Sequence, residues 1–161
     1  MEVIWAPWRM EYITEDNKEA CIFCAKLKEP DYRNNLILLK QKHTFVIMNK
    51  YPYNVGHLMV VPIRHLAGLD DFSHEELIEF ISLTRDAVQV LKNTLNPQGF
   101  NLGMNIGRVA GAGVLGHIHH HIVPRWQGDF NYMPIIGETK VMPQHLMETY
   151  DRLFPHFEKL L

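Results

Sequence analysis

The densest chemistry in the chain is the run Gly116-His117-Ile118-His119-His120-His121-Ile122-Val123-Pro124-Arg125. Of the 10 histidines, four fall between positions 117 and 121. The aliphatic residues around them predict a strand, Ile118–Val123, ended by Pro124. Side chains of a strand alternate between faces. His117, His119 and His121 then share one face, and Ile118, His120 and Ile122 share the other. Same-face neighbours lie roughly 6.7 Å apart along a strand, and the outer two roughly 13 Å. With Zn–N bonds of about 2 Å, two of these imidazoles can share an ion but three hardly can. A solvated or core-satisfied histidine row is the plain alternative, and three in register argue against it. The remaining chemistry is nucleophilic. A neutral imidazole, with an ordinary pKa of about 6.5, is mostly unprotonated at pH 7. A neighbouring imidazole can hold it in the productive tautomer. Gly107, Gly111, Gly113 and Gly116 precede the run. Their N–H groups are unobstructed by Cβ and suit phosphate oxygens. Together these features point to attack on phosphorus.

A second cluster is Cys21-Ile22-Phe23-Cys24, which contains the only 2 cysteines. One close pair cannot staple a domain of this length, so a secreted disulfide framework is not indicated. Three readings stand side by side: half of a zinc site, two core cysteines, or a thioredoxin-like redox pair. The last fits poorly, because Ile-Phe between the cysteines and the lack of a βαβ setting are atypical of it. His43, His74, His145 and His156 are assigned to surface or packing roles.

The elements that position these groups follow from patterning. The chain has 161 residues, 47% hydrophobic and 21% charged, which suits one globular domain. Net charge is −2, so a basic footprint for nucleic acid is missing. No apolar run is long enough for a membrane span and no signal peptide is visible. The expected location is cytoplasmic. Residues 1–20 form an arm carrying Trp5, Pro7, Trp8 and Arg9. Residues 21–142 form the core, with a polar connector around Lys26–Asn35, and 143–161 form a helical tail interrupted near Pro155. Strands are predicted over Leu36–Lys40, His43–Met48, Gly56–Pro62 and Phe100–Ile106. A long helix starts at a Ser73/Glu76 capping box. It lays Leu77, Phe80, Ile81, Val88, Leu91 and Leu95 on one face, and Asn96-Pro97-Gln98-Gly99 stops it. The order predicts an α+β fold: a five-stranded antiparallel meander, one long helix and a C-terminal helical tail.

The run His117-Ile118-His119-His120-His121-Ile122-Val123 resembles the histidine triad (HIT) motif, His-φ-His-φ-His-φ-φ with φ apolar. His120 departs from it, standing where an apolar residue is usual. Phe45-Val46-Ile47-Met48-Asn49 and Gly56-His57-Leu58-Met59-Val60-Val61-Pro62 look like the family's upstream strands. Val123-Pro124-Arg125 and Gly128-Asp129-Phe130 resemble its fragile-histidine-triad branch. From Trp5-Ala6-Pro7 to Val141-Met142-Pro143-Gln144 the chain looks like bacterial members of the diadenosine tetraphosphate phosphorylase type.

The resemblance implies a HIT-like fold and a homodimer whose sheets join. It implies a nucleotide substrate and a covalent nucleotidyl-histidine intermediate on His119, with His121 and His57 as the other catalytic residues. Asn49 matches the ribose contact, and Asn105 with Gly111, Ala112 and Gly113 matches the phosphate lining, beside His117, His119 and His121. Arg108 and Arg125 are further candidates for phosphate charge. Gly111-Ala112-Gly113-Val114 lacks the Gln of the hydrolases, which favours inorganic phosphate as acceptor. The implied reaction is diadenosine tetraphosphate plus phosphate to ADP and ATP. The alternatives are hydrolysis of dinucleoside polyphosphates or nucleoside phosphoramidates, and a nucleotide-binding regulatory module without turnover. Some members bind zinc through such a Cys pair, a histidine after the third strand and the first triad histidine. The matching set is Cys21, Cys24, His65 and His117, and zinc there would be structural.

Overall fold

The computed structural model describes residues 21–129 and 142–161. The Trp5–Arg9 arm, Phe130 and Val141 lie outside the described residues. Five strands form one antiparallel sheet: β1 (Ile37–Lys40), β2 (Thr44–Met48), β3 (Leu58–Pro62), β4 (Gly99–Met104) and β5 (His120–Arg125). Three helices accompany it: α1 (Ile22–Lys28), α2 (His74–Leu95) and α3 (Leu146–Glu158).

The strand order is β1-β2-β3-β5-β4. This corrects the predicted meander, because β5 inserts between β3 and β4. The long α2 carries the chain across the sheet, so β4 becomes an edge and β5 returns beside β3. The fifth strand also differs in its bounds. Ladder pairing starts at His120, opposite Val60 and Met104, and runs through Pro124 to Arg125. Proline has no N–H to give, but it still pairs in register with Phe100 of the edge strand.

Register assigns the two faces, since residues directly opposite project to the same side. Leu58, Val60, Ile122 and His120 face α2, which buries Phe80, Leu83, Ala87 and Leu91. Ile47, Met59 and His121 face the other side. α2 begins as expected: the Ser73 hydroxyl accepts from the Glu76 N–H and Glu76 accepts from the Ser73 N–H. It ends at Asn96 in a left-handed conformation, φ 49°. The predicted apolar face is partly wrong. Leu77 and Ile81 are exposed, at 36% and 52%, because the sheet meets the stripe through Phe80, Leu83, Ala87 and Leu91 instead.

His120 fills its unusual position by stacking on Phe80, 5.9 Å between ring centroids, with Nδ1 3.4 Å from the Thr84 hydroxyl. α3 runs through Pro155 without a break. Pro155 is near the C-terminal end, and buried Tyr150, Leu153 and Phe157 hold the helix on the core. Tyr150 donates from its hydroxyl to the Ile37 carbonyl at 2.8 Å. α1 begins inside the cysteine pair and runs into the start of the predicted polar connector, where no helix is expected. Seven residues are too few to be helical alone, so its contacts decide it. Phe23 is buried against Phe45, His117 and His119.

Candidate active site and metal cluster

The histidines are set by backbone groups, and those groups fix their tautomers. His119 is buried, and its Nδ1 lies 2.9 Å from the His117 carbonyl. A carbonyl only accepts, so Nδ1 carries the proton and Nε2 keeps its lone pair. Burial lowers the His119 pKa below its ordinary value, partly opposed by that hydrogen bond. The ring therefore stays neutral, as a nucleophile requires.

A second chain of bonds reaches the neighbouring triad member. The Tyr53 N–H donates to His57 Nδ1 at 3.0 Å, which puts the His57 proton on Nε2. His57 Nε2 is 2.9 Å from His121 Nδ1. His57 donates there, so His121 carries its own proton on Nε2. Its ring meets that of His119 edge-on, 4.8 Å between centroids. Tyr53 covers both His57 and His121, with ring centroids 4.6 and 5.9 Å away. One lone pair and one N–H, on adjacent rings, result from two backbone N–H or C=O groups.

His119 and His121 line a cavity of about 240 Å³ on the sheet face away from α2. Its floor is Ile47 and Met59, and α1 forms one wall through Ile22, Phe23 and Lys26. Met48, Asn49, Lys50, Tyr51, Tyr53, Asn105, Gly111, Gly113 and Val114 complete it. Asn49 is held by accepting from the Tyr51 N–H at 2.9 Å. Asn105 donates to the Gly111 carbonyl at 3.4 Å, tying the glycine loop to the end of β4. Gly111 is left-handed, φ 85°, where it ends a short 3-10 turn over Arg108–Ala110. A side chain rarely takes that conformation, which explains glycine there.

Five residues predicted to serve the substrate do not line the cavity: Ala112, His57, His117, Arg108 and Arg125. Ala112 turns its N–H to the Gly107 carbonyl. His57 sits behind His121, and His117 sits behind His119. Arg125 is occupied by a bidentate pair with Asp129 and a bond to Asn101. The cavity residues missed from sequence are mainly the α1 wall and the Tyr51–Tyr53 loop. The Cys-X-X-Cys spacing held the signal for the wall, because two cysteines held by His117 must place Phe23 near His119.

His117 belongs to the second cluster. The ligand atoms of Cys21, Cys24, His65 and His117 all lie within 4.8 Å of one another. Cys21 Sγ is 3.1 Å from His117 Nδ1, and Cys24 Sγ is 3.5 Å from His65 Nδ1 and 3.6 Å from His117 Nδ1. Ligands about 2.0–2.3 Å from a tetrahedral ion stand roughly 3.5 Å apart, so the set fits. The tautomer agrees. His117 Nε2 donates to the Pro62 carbonyl at 2.9 Å, which leaves the Nδ1 lone pair facing the sulfurs. Burial, foremost, pushes the His117 pKa down to about 4. Burial and the neighbouring Cys21 raise the Cys24 thiol.

Comparison with known proteins identifies relatives of this chain. A protein named AP-4-A phosphorylase in Mycobacterium tuberculosis is 39% identical over 157 residues, covering 92% of this chain and 80% of that one. An uncharacterized HIT-like protein of Methanocaldococcus jannaschii is 38% identical, covering 74% of this chain and 89% of that one. The fold matches the crystal structure of a Zn-bound histidine triad family protein from Mycobacterium smegmatis. That match has a TM-score of 0.68 and 23% identity, over 88% of this chain and 95% of that chain. The HIT domain profile matches residues 33–128, and with these relatives it places the chain in the HIT domain family.

Proposed function

We propose that the protein is a nucleotidyltransferase that cleaves diadenosine tetraphosphate with inorganic phosphate, giving ATP and ADP. The observation that carries this reading is the paired tautomers: His119 offers a lone pair at Nε2 beside an N–H of His121 in one cavity. The relationship to the phosphorylase of M. tuberculosis supports the substrate and the acceptor.

In the first step the His119 Nε2 lone pair attacks the α-phosphorus. An N–P bond forms, the bond to the bridging oxygen breaks, and ATP leaves. The His121 Nε2–H donates to a phosphate oxygen and helps carry the charge of the transition state. A phosphate oxygen then attacks the same phosphorus, ADP leaves and His119 is restored. His57 orients His121. Asn49 holds the ribose, and Asn105 with the Gly111–Gly113 loop lines the phosphates. The missing Gln in that loop leaves room for the phosphate acceptor.

Cys21, Cys24, His65 and His117 would hold one zinc ion as a structural cross-link. His117 then buttresses His119 through its carbonyl rather than touching substrate. The thiols are free, which suits the reducing cytoplasm we propose as the location. A homodimer through β4 is supported by the exposed edge strand: Leu102, 50% exposed, lies on the sheet face shared with α2, where Ile81 is also bare.

The test is a product assay with phosphate varied. ADP formation that requires phosphate, together with label from α-phosphorus-labelled substrate trapped on His119, is expected. AMP formed without phosphate would assign hydrolysis. Nucleotide binding with no turnover would assign a regulatory module.

A further inference from the structure

α1 brings one of the cavity's two cations, the other being Lys50, against an apolar stretch of its wall. Lys26 lines it beside Ile22, Ile47 and Met48. Its ammonium donates to the Asn35 carbonyl at 3.0 Å, and Asn35 is buried. An ammonium has three N–H groups, so two remain. Among the described residues no carboxylate pairs with it. Glu29, whose charge acts on it, already accepts from the Asn35 amide at 2.9 Å. Burial lowers the Lys26 pKa, as does the neighbouring Lys50. Half-buried, this ammonium lacks the water it would have at the surface, so an acceptor arriving in the cavity gains a charge-assisted bond.

Topology says which part of a nucleotide arrives there. Asn35 leads into β1, and the Leu36 carbonyl accepts from the Met48 N–H at the end of β2. His119 and His121 sit at β5. With the order β1-β2-β3-β5, three spacings of about 4.8 Å put β1 roughly 14 Å from β5. A nucleotide with its phosphorus at His119 and its ribose at Asn49, at the end of β2, extends its base toward β1. The phosphates lie at the opposite end.

We propose that Lys26 is a base-reading residue, whose ammonium donates to the acceptor edge of the nucleobase: purine N7, and also O6 where the base is a 6-oxopurine. This rests on the nucleotidyl-transfer reading above and extends its substrates from adenine to guanine nucleotides. A group that only donates gains most from guanine, which presents N7 and O6 side by side. Adenine presents N7 beside an amino donor, and cytosine lacks N7.

The test is calorimetric binding of AMP, GMP and CMP to the full chain. In Lys26→Met, GMP should weaken at least fivefold more than AMP or CMP, while Lys26→Arg should keep the wild-type order. The unmodified protein offers a second measurement that needs no variant: 7-deaza-GMP should bind at least fivefold more weakly than GMP. Equal loss for all three nucleotides in Lys26→Met would mean that the lysine only seats α1, and would overturn the proposal. Equal binding of GMP and 7-deaza-GMP would also overturn it. Both of those results leave the catalytic reading standing. Failure of the wild-type protein to bind any nucleoside monophosphate would remove both.

Discussion

Replacing His57 by Phe tests the relay without touching the nucleophile. In the wild type, the Tyr53 N–H fixes His57, and His57 fixes His121 with its proton on Nε2. Phenylalanine fills much of the space but neither accepts nor donates. His121 Nδ1 loses its donor, and its ring is free to take the other tautomer or turn. The phosphate then loses an aimed N–H. A hydrogen bond to a charged group contributes about 1.5–3 kcal/mol, so the rate should fall by about 10- to 150-fold. The loss should sit in kcat, with nucleotide binding changed little, because the bond strengthens as charge develops. Stability should fall too, since the Tyr53 N–H is orphaned at a cost of about 1–3 kcal/mol. Single-turnover formation of the His119 adduct measures the first effect and thermal melting the second. Nitrogen NMR of His121 reads the tautomer directly. A His57→Phe enzyme within twofold of the wild-type rate would refute the reasoning. So would a wild-type His121 protonated on Nδ1.

The remaining predictions concern pH, metal and backbone. Because burial lowers the His119 pKa below 6.5, the adduct-forming rate should hold level from pH 8 to 6.5 and fall only in more acid solution; a decline centred above 6.5 would contradict this. His117, at about 4 when folded against 6.5 unfolded, and His119 and His120, also lowered, bind protons more readily in the unfolded chain. Chelated, metal-free protein should therefore reach its highest Tm above pH 6.5, still below that of the zinc-loaded form, and lose stability progressively from 6.5 toward 4. Purified protein should contain one zinc per chain, lost in Cys21→Ala with a lower Tm; full thermal stability of the metal-free wild type would count against the cross-link. Gly116 has φ +75°, and a Cβ there would stand 3.3 Å from His65 Nε2. Gly116→Ala should cost about 1–2 kcal/mol from the left-handed backbone, together with weaker zinc retention, measured by melting and by competition with a chromogenic chelator. Tyr150→Phe removes the bond to the Ile37 carbonyl and should lower stability by about 1–3 kcal/mol in denaturant melts, without altering turnover.

Strand alternation alone put His119 and His121 on one face, and the Ser73/Glu76 box and Asn96 marked the ends of α2, because these are local rules acting over a few residues. The family resemblance brought His65 and His117 to the cysteines. Long-range matters were decided by tertiary structure. Where β5 inserts depends on which edge the chain reaches after α2, and no local pattern encodes that. Leu77 and Ile81 share helical spacing with Phe80, yet the sheet meets only part of the stripe. α1 is too short to form by propensity, so its existence depends on Phe23 and the thiol cluster. The tautomers of His57, His119 and His121 follow from a carbonyl and an N–H delivered by backbone geometry, which sequence spacing does not specify. Residue types thus settled what chemistry was available, and the packing of distant segments determined which nitrogen faces the cavity.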